Sequence, residues 1–251
     1  MRTGGRLSRV AKDLLLNNAA RLAPVARAIP GFGPYLYQAD HPLLALLEAY
    51  EVDEVIDVGA NAGQFAARLR LLGYRGRIVS FEPIRAVFER LSQRAARDPG
   101  WDAVHTAIGA APGEAEINVL QDTALSSILD PSGELAEHDP ATAIAYSEPV
   151  TVQPLDALVP ADGRRRFVKV DAQGYEGRIL DGAERLLNEC LGAELELSLA
   201  TPFYAGESPA ADLRARLAAK GLTEVVLNPL SHTLRWGTLV QADAIFWRLS
   251  G

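Results

Sequence analysis

The segment Val55-Ile56-Asp57-Val58-Gly59-Ala60-Asn61-Ala62-Gly63-Gln64-Phe65 constrains this chain more than any other. Four residues suited to a buried strand run into a turn with two glycines, and a helical pattern follows. A second apolar run, Arg77-Ile78-Val79-Ser80-Phe81-Glu82-Pro83, ends in an acid 23 positions after Gly59. A strand, a glycine turn, a helix and an acid closing the next strand form a nucleoside-binding arrangement, in which the acid accepts hydrogen bonds from two ribose hydroxyls. Glycine lets the backbone approach a ligand where a side chain would block it. The spacing departs from the dinucleotide fingerprint G-x-G-x-x-G, because Asn61 stands where the second fingerprint glycine falls. That looser turn has no evident pyrophosphate cradle and suits a ligand without phosphates, such as S-adenosylmethionine. The competing reading is a purely structural strand-turn-helix of some other α/β protein.

A length of 251 residues, 48% hydrophobic, fits one α/β domain with a modest extension and a full core. The single cysteine, Cys190, excludes an internal disulfide framework and a cysteine-based metal cluster. Its surroundings, Leu186-Leu187-Asn188-Glu189-Cys190-Leu191, make it a small apolar residue at a helix end. The sequence shows no apolar run near the roughly 18 residues that span a membrane and no signal peptide. A reducing cytoplasm is the expected setting.

Charge is unevenly spread. Residues 1–31 carry a net +5 from Arg2, Arg6, Arg9, Lys12, Arg21 and Arg27 against Asp13; the whole chain carries −7, which leaves −12 on the other 220 residues. An acidic body argues against a nucleic-acid partner, whose affinity rests on phosphate neutralisation. The basic segment reads as one or two short amphipathic helices over 6–28, broken at Asn17-Asn18 and closed by Pro30-Gly31-Phe32-Gly33-Pro34. It is either a solvated helix packed on the body or a peripheral contact with a membrane surface, at the inner membrane face.

Residues 1–50 form an N-terminal helical extension in this reading, with a helix over 41–51, and residues 51–251 form the main domain. Strands are expected at 53–58, 77–82, 102–107, 166–171, 193–199, 222–227 and 239–248, and helices at 63–72, 84–97, 176–190 and 209–220. Such alternation predicts a parallel sheet with right-handed crossovers and helices on both faces. An insertion at about 108–160 interrupts it. It carries short extra strands at 113–119 and 149–152 and a polar, loop-like stretch over 121–148, which suggests a lid or substrate loop.

A second cluster, Arg166-Phe167-Val168-Lys169-Val170-Asp171-Ala172-Gln173-Gly174-Tyr175-Glu176, is a central strand ending in polar residues. Ligands of open α/β sheets bind beyond the carboxyl ends of the strands. If 166–171 is the fourth strand, Asp171 shares a crevice with the Gly59 turn. A carboxylate there takes a proton from a substrate hydroxyl or holds a divalent cation. The alternative is that Asp171 caps the next helix and Glu176 favours its dipole. Lys169 shares a strand face with Asp171, and a core lysine needs a partner, either Asp171 or Glu196.

On these residues the chain resembles the FkbM family of S-adenosylmethionine-dependent methyltransferases. The similarity runs from about residue 52 to 248. It covers Val55–Gln64, Ser80–Pro83, Ala107-Ile108-Gly109, Ser126-Ser127, Val152–Leu158, Val168–Gly182, Glu194–Ser198 and Gln241–Arg248, with Tyr204 and Gly206 in a subgroup-like stretch. The most specific piece is K-x-D-x-[EQ]-G-[YHF]-E, which stands as Lys169 to Glu176. The family often has glutamate where this chain has Gln173, so Gln173 is not expected to act as a base. Gly109-Ala110 lacks the acid often found there, and Trp247 replaces a small apolar residue. The resemblance implies a class I methyltransferase sheet, Rossmann-like and mostly parallel, of seven strands with the last antiparallel. Asp57, Gly59, Asn61, Gly63 and Gln64 would surround the methionine end of the cofactor. Glu82 would hold its ribose, Pro83 and Ile84 would pack near it, and Ala107-Ile108 would lie against the adenine. The implied reaction is O-methylation of a hydroxyl on a sugar, surface glycan, glycolipid or polyketide.

Asp171, Glu176 and Lys169 are the expected catalytic residues, with Asp171 as base or as ligand of a divalent metal. His105, His138 and His232 are further base candidates, and their scatter gives no metal motif. A nicotinamide-dependent oxidoreductase would share the turn and Glu82, but the full fingerprint is absent. A nucleic-acid methyltransferase would draw on Asn228-Pro229-Leu230, near the sixth strand. A non-catalytic scaffold would show decayed cofactor residues, and these are intact. The acceptor, the metal requirement and whether the chain forms a homodimer are open at this stage.

Overall fold

The computed structural model describes residues 40–132, 140–232 and 239–249. The basic segment with its helices over 6–28, and His138, lie outside these residues.

The chain opens with helix α1 (Asp40–Ala49) and then alternates: β1 (Glu54–Val58), α2 (Gln64–Leu72), β2 (Arg77–Phe81), α3 (Arg85–Ala95) and β3 (Trp101–Val104). Strands β4 (Ala107–Ile108), β5 (Gly113–Leu120) and β6 (Ile144–Gln153) come next, followed by the short helix α4 (Leu155–Leu158). The alternation resumes with β7 (Arg166–Val170), α5 (Glu176–Asp181), α6 (Glu184–Glu189), β8 (Gly192–Ser198) and α7 (Ala210–Ala219), and ends in β9 (Thr223–His232) and β10 (Leu239–Trp247).

Seven strands form one sheet in the order β3-β2-β1-β7-β8-β10-β9. The first five of these neighbours pair in parallel, and β10 runs antiparallel to both β8 and β9. This is the class I methyltransferase order, and β7 is its fourth strand along the chain. The central strands β1 and β7 are buried along their whole length, as expected when helices cover both faces. Alternate side chains feed two cores. Val55, Ile78 and Phe167 meet helices α1 to α3. Ile56, Val168 and Leu195 meet α5 to α7.

Four sequence expectations need correction. The strand expected at 102–107 is two strands in different sheets, because β4 leaves β3's sheet to pair with β6. The helix expected at 176–190 breaks at Gly182-Ala183. A Cβ on Gly182 would fall 2.0 Å from the Gly109 carbonyl oxygen, and α6 restarts with its first amides bonded to the Asp156 carboxylate. The stretch 121–148 is not all loop, since β6 begins at Ile144 and pairs along β5. His232 belongs to strand β9 rather than to a late loop. Asn228-Pro229-Leu230 also lies in β9, an edge strand where a proline is tolerated.

The insertion builds a second sheet, β4-β6-β5. Its apolar face, Ala107, Ile117, Val119, Val150 and Val152, packs on Ile84 and Val87 at the start of α3. That contact puts the insertion beside the carboxyl ends of β1 and β2.

Candidate functional site

A cleft opens where β1, β2 and β7 end. Glu82 and Asp171 line it, with Gly59 and Asn61 from the turn between them. Phe81, Ile84, Ile108 and Ile117 make apolar walls, and Ser126 and Ser127 of the insertion close one side. It holds about 680 Å3 of atom-free space, open solvent at the mouth included. Among the described residues lining it there is no Arg, Lys or His.

The turn is shaped by its neighbours as much as by any ligand. Gly59 has φ +71°, and a Cβ there would sit 1.7 Å from the Asp171 carbonyl oxygen. The close approach that demands this glycine is therefore made by the end of β7. Gly63, at φ +81°, packs against Trp101 and Leu91. It is a helix-packing glycine and does not line the cleft. Asn61 also adopts the left-handed conformation, with φ +47°. Its Oδ1 accepts from Ala62 N at 2.7 Å and from Gln64 Nε2 at 3.3 Å, the local bonding that lets asparagine tolerate this region. Gln64 faces a neighbouring groove with Asn61 rather than the cleft itself.

Glu82 is buried, at 4% exposure. Its two carboxylate oxygens accept from Asn61 N at 2.9 Å and Ile84 N at 2.8 Å. Burial pushes its carboxyl up to about 7 despite those bonds. Pro83 and Ile108 line the cleft beside it. His105 does not line it. Its Nε2 lies 2.8 Å from the Pro83 carbonyl oxygen, and its ring stacks on Phe88 at 4.8 Å.

Asp57 is fully buried beneath the turn. Its Oδ2 accepts from Ser80 Oγ at 2.8 Å, and that hydroxyl accepts from Trp101 Nε1 at 3.0 Å. Its Oδ1 has no hydrogen-bond partner among the described residues and faces Lys169 Nζ at 3.6 Å. Burial raises its pKa. Lys169 bridges to Asp171 Oδ2 at 3.1 Å, so its expected partner is Asp171 rather than Glu196. The lysine thus ties the end of β1 to the end of β7.

Asp171 sits in a row of polar groups. Gln173 Nε2 donates to Asp171 Oδ1 at 2.9 Å and to Glu196 Oε2 at 2.6 Å. Gln173 has φ +53°, uncommon for a residue other than glycine and held here by its surroundings. Ser127 Oγ donates to its carbonyl at 2.7 Å, and Tyr204 OH to its Oε1 at 2.9 Å. Two carboxyls of the row are pushed in opposite directions. Burial would raise Asp171, but the charge of Lys169 and the Gln173 hydrogen bond prevail and hold it below the usual range. Glu196 is raised well above its ordinary value by burial and by the charges of Asp171 and Glu176. Such divergence is the pattern of acid and base assignments in active sites.

Glu176 does not reach the cleft. It turns back to accept from Ala172 N at 2.9 Å and borders a small cavity with Glu196, Tyr204 and Glu207. Burial pushes it up to about 7. Among the described residues no group of three His, Cys, Asp or Glu side chains is arranged to hold a metal ion.

Sequence reasoning placed Tyr204 and Glu196 only by resemblance or as a spare partner. The signal was present: Gly192-Ala193-Glu194-Leu195-Glu196-Leu197-Ser198 puts two acids on one face of a central strand, where apolar residues are the rule. The loop 199–209 is tied to the insertion by Ser132 N to Phe203 O at 2.8 Å, Ala205 N to Asp130 O at 2.8 Å and Tyr204 OH to Leu125 O at 2.7 Å. The insertion and the loop 199–209 are therefore tied together by hydrogen bonds.

No curated protein matches the sequence significantly. Among solved structures, the chain is similar to TehB from Haemophilus influenzae, at 10% identity and TM-score 0.44, covering 87% of this chain and 66% of TehB. It is similar to magnesium protoporphyrin IX methyltransferase from Synechocystis PCC 6803 with bound SAM, at 12% identity and TM-score 0.43, covering 98% and 86%. It is also similar to the N-terminal domain of human METTL16 in complex with SAH, at 11% identity and TM-score 0.45, covering 86% and 69%. A family model, the methyltransferase FkbM domain, matches residues 57–221. That span is well over half of the chain and runs from the Asp57 turn through the whole Asp171 row to the end of α7: the chain belongs to the FkbM methyltransferase family.

Proposed function

We propose that this protein transfers the methyl group of S-adenosylmethionine to a hydroxyl oxygen of a sugar, in a surface glycan or a glycolipid. One observation carries the reading. A buried carboxylate closing β2 and an ionised carboxylate closing β7 line the same cleft, on either side of the glycine turn after β1.

The residues fit this cofactor. Each Glu82 oxygen already accepts one backbone amide and keeps a lone pair for a ribose hydroxyl. Phe81, Ile84 and Ile108 offer an apolar slot for a purine. The absence of cations among the described lining residues suits a nucleoside without phosphates better than a dinucleotide. When bound, the cofactor supplies an electrophilic methyl group on a sulfonium. The protein's task is then to present the acceptor oxygen in line and to receive its proton.

Asp171 fits that task. Lys169, Gln173 and the end of β7 fix its carboxylate, and it stays ionised at neutral pH. It would accept the hydrogen bond of the acceptor hydroxyl, aim the oxygen lone pair, and take the proton that the oxygen gives up when the methyl group passes to it and the carbon–sulfur bond of the sulfonium breaks. Its depressed pKa makes it a weak base, so orientation is its larger contribution. Lys169 positions it from behind. Burial and the neighbouring charges push the Glu196 carboxyl up, which favours its neutral form beside Asp171. A metal ligand role for Asp171 remains a proposal, tested by turnover after chelation.

Titration calorimetry with S-adenosylhomocysteine tests the cofactor. The expected result is micromolar binding, weakened in Glu82→Ala, with no heat from NADH. Binding of NADH instead, or of neither, sinks the reading. The basic residues 1–31 are proposed to hold the enzyme against anionic membrane lipid, where a lipid-linked glycan would be met. Unchanged partition onto anionic vesicles after their deletion counts against that. No described helix is long and apolar enough to cross a membrane.

A further inference from the structure

Tyr204 does not line the cleft, yet its hydroxyl reaches the side chain that holds Asp171. Only 1% of the residue is exposed. A hydroxyl sunk that deep needs a partner, and it has two: Gln173 Oε1 at 2.9 Å and Leu125 O at 2.7 Å. Both are acceptors, so the phenol's one proton lies between the side chain beside Asp171 and the backbone of the insertion. Burial and the nearby carboxylates push the phenol pKa up, so that proton stays in place.

The carboxamide of Gln173 is held at both ends. Its two N–H groups face carboxyls, Asp171 Oδ1 at 2.9 Å and Glu196 Oε2 at 2.6 Å. Its oxygen then looks the other way, toward Tyr204. Ser127 holds the Gln173 carbonyl at 2.7 Å, and the turn is left-handed at both Gln173 and Gly174, with φ +53° and +90°. The tyrosine packs on that turn: a Cβ on Gly174 would fall 3.0 Å from the Tyr204 Cβ. The place of the phenol is set separately. Phe203 N and Tyr204 N donate to Glu207 Oε2 at 3.1 and 3.0 Å, and Ala205 N donates to Asp130 O at 2.8 Å. A donor at Oε1 polarises the amide and strengthens the bonds that its N–H groups make. Without the hydroxyl, a buried oxygen is left unsatisfied, and the amide is then free to turn away from Asp171.

We infer that Tyr204 is a positioning residue for methyl transfer: through Gln173 it aims the Asp171 carboxylate at the acceptor hydroxyl, and through Leu125 it ties that aim to the insertion that borders the cleft. The inference rests on the reading of Asp171 as the group that meets the acceptor. Tyr204 acts on the reaction only through Gln173, which distinguishes it from a tyrosine that merely packs the loop 199–209.

The first readout is the Gln173 carboxamide in proton–nitrogen NMR spectra of the full chain with S-adenosylhomocysteine, assigned by its loss in Gln173→Met. In the wild type its two N–H protons are expected downfield and slow to exchange. In Tyr204→Phe, which keeps the ring, they should return toward the positions of a free glutamine. The second readout is methyl transfer from labelled S-adenosylmethionine to a panel of methyl glycosides. Tyr204→Phe should lower kcat about tenfold, the worth of one good hydrogen bond, with KM for S-adenosylmethionine unchanged. Gln173→Met should lower kcat at least as far, and the double variant no further than Gln173→Met alone, because the two residues act in series. Leu217→Ala, which opens the core shared by α7 and β8, should lower the melting temperature while leaving the carboxamide signals and kcat in place. That control separates positioning from stability. Carboxamide signals unmoved by Tyr204→Phe overturn the inference, and so do losses in kcat that add in the double variant. If S-adenosylhomocysteine does not bind, the methyltransferase reading fails separately; if no glycoside is methylated, the proposed acceptor class does. In both cases the carboxamide signals of the protein alone still decide whether Tyr204 positions Gln173.

Discussion

The two ends of the main sheet treat charge in opposite ways. At the amino end, Glu54 is buried at 2% exposure, and its carboxylate meets Arg166 at 2.6 Å, Arg164 at 2.8 Å and Arg77 at 3.2 Å. Arg166, also buried, turns its other nitrogen to Asp162 at 2.5 Å. Each of these named charges has an opposite partner. At the carboxyl end, Asp57, Glu82, Asp171, Glu176 and Glu196 crowd together with Lys169 as their close cation, and burial raises four of the five. A matched network holds the strands in register. An unmatched row holds protons and acceptor lone pairs ready for a ligand, at a cost in stability. Substitutions at the two ends should therefore separate stability from activity.

The largest effect is expected at the unmatched end. Asp171→Asn keeps the side chain's shape and leaves Lys169 with Asp57, but removes the acceptor of the substrate proton. Turnover should fall by about 10²–10⁴-fold, the range for losing a positioned acid–base group, with little change in S-adenosylhomocysteine affinity. Full turnover with an unchanged acceptor KM would end the proposed role of Asp171.

Arg166→Ala should do the reverse. Removing one partner of a buried pair costs about 3–5 kcal/mol. Because Arg164 and Arg77 still cover Glu54, the lower figure, about 3 kcal/mol, is expected in urea unfolding. Cofactor affinity of the folded fraction should not move. A parallel loss of affinity would mean that the two ends are coupled and the contrast is false.

Glu82→Ala tests whether the unmatched row carries a stability cost. Cofactor binding should weaken by about 30-fold, from losing acceptors worth about 2 kcal/mol together. The melting temperature at pH 8 should hold or rise, since a buried carboxylate is no longer forced to ionise. A clear drop in melting temperature would show that its bonds to Asn61 N and Ile84 N outweigh the burial.

The central strands could be read from the sequence because they follow from alternation: buried strands at 53–58 and 166–171 lie within a residue of the observed β1 and β7, while the seven-strand class I sheet was implied by the family resemblance. The acids Glu82 and Asp171 were legible for the same reason, since each closes a predicted strand. The reasons behind the glycines were not. Gly59 is required by a carbonyl 112 residues away in sequence, and a local pattern cannot show that contact. The direction of the Glu176 side chain was not legible: helical spacing places it one turn from Asp171, whereas it folds back onto Ala172 N. The insertion hid its sheet because β4 is two residues long and its partner β6 starts beyond a polar stretch.

The effect that is smallest per step, a factor of about ten for each unit of pH, is also the most diagnostic of the carboxyl end. Glu82 titrates near 7 in the folded protein against 4.5 as its ordinary value. Between those values the folded state binds more protons than the unfolded one, so this group's contribution to stability is lost as pH rises through about 4.5 to 7. The penalty above pH 7 is on the order of 3 kcal/mol, at about 1.4 kcal/mol for each pH unit of the interval. Cofactor binding runs the other way, because ribose hydroxyls donate to the ionised carboxylate. Above pH 7 the carboxylate is ready. Below it, binding must expel a proton, and affinity should fall about tenfold for each unit of pH. S-adenosylhomocysteine titrations from pH 5.5 to 8.5 should show that slope below 7 and a plateau above, with proton release visible as a dependence on buffer ionisation heat. Glu176 also titrates near 7, so Glu82→Gln is the deciding control: it should flatten the profile. A slope that persists in Glu82→Gln would assign the proton to the Glu176–Glu196 side of the row, and the division of labour within that end would have to be redrawn.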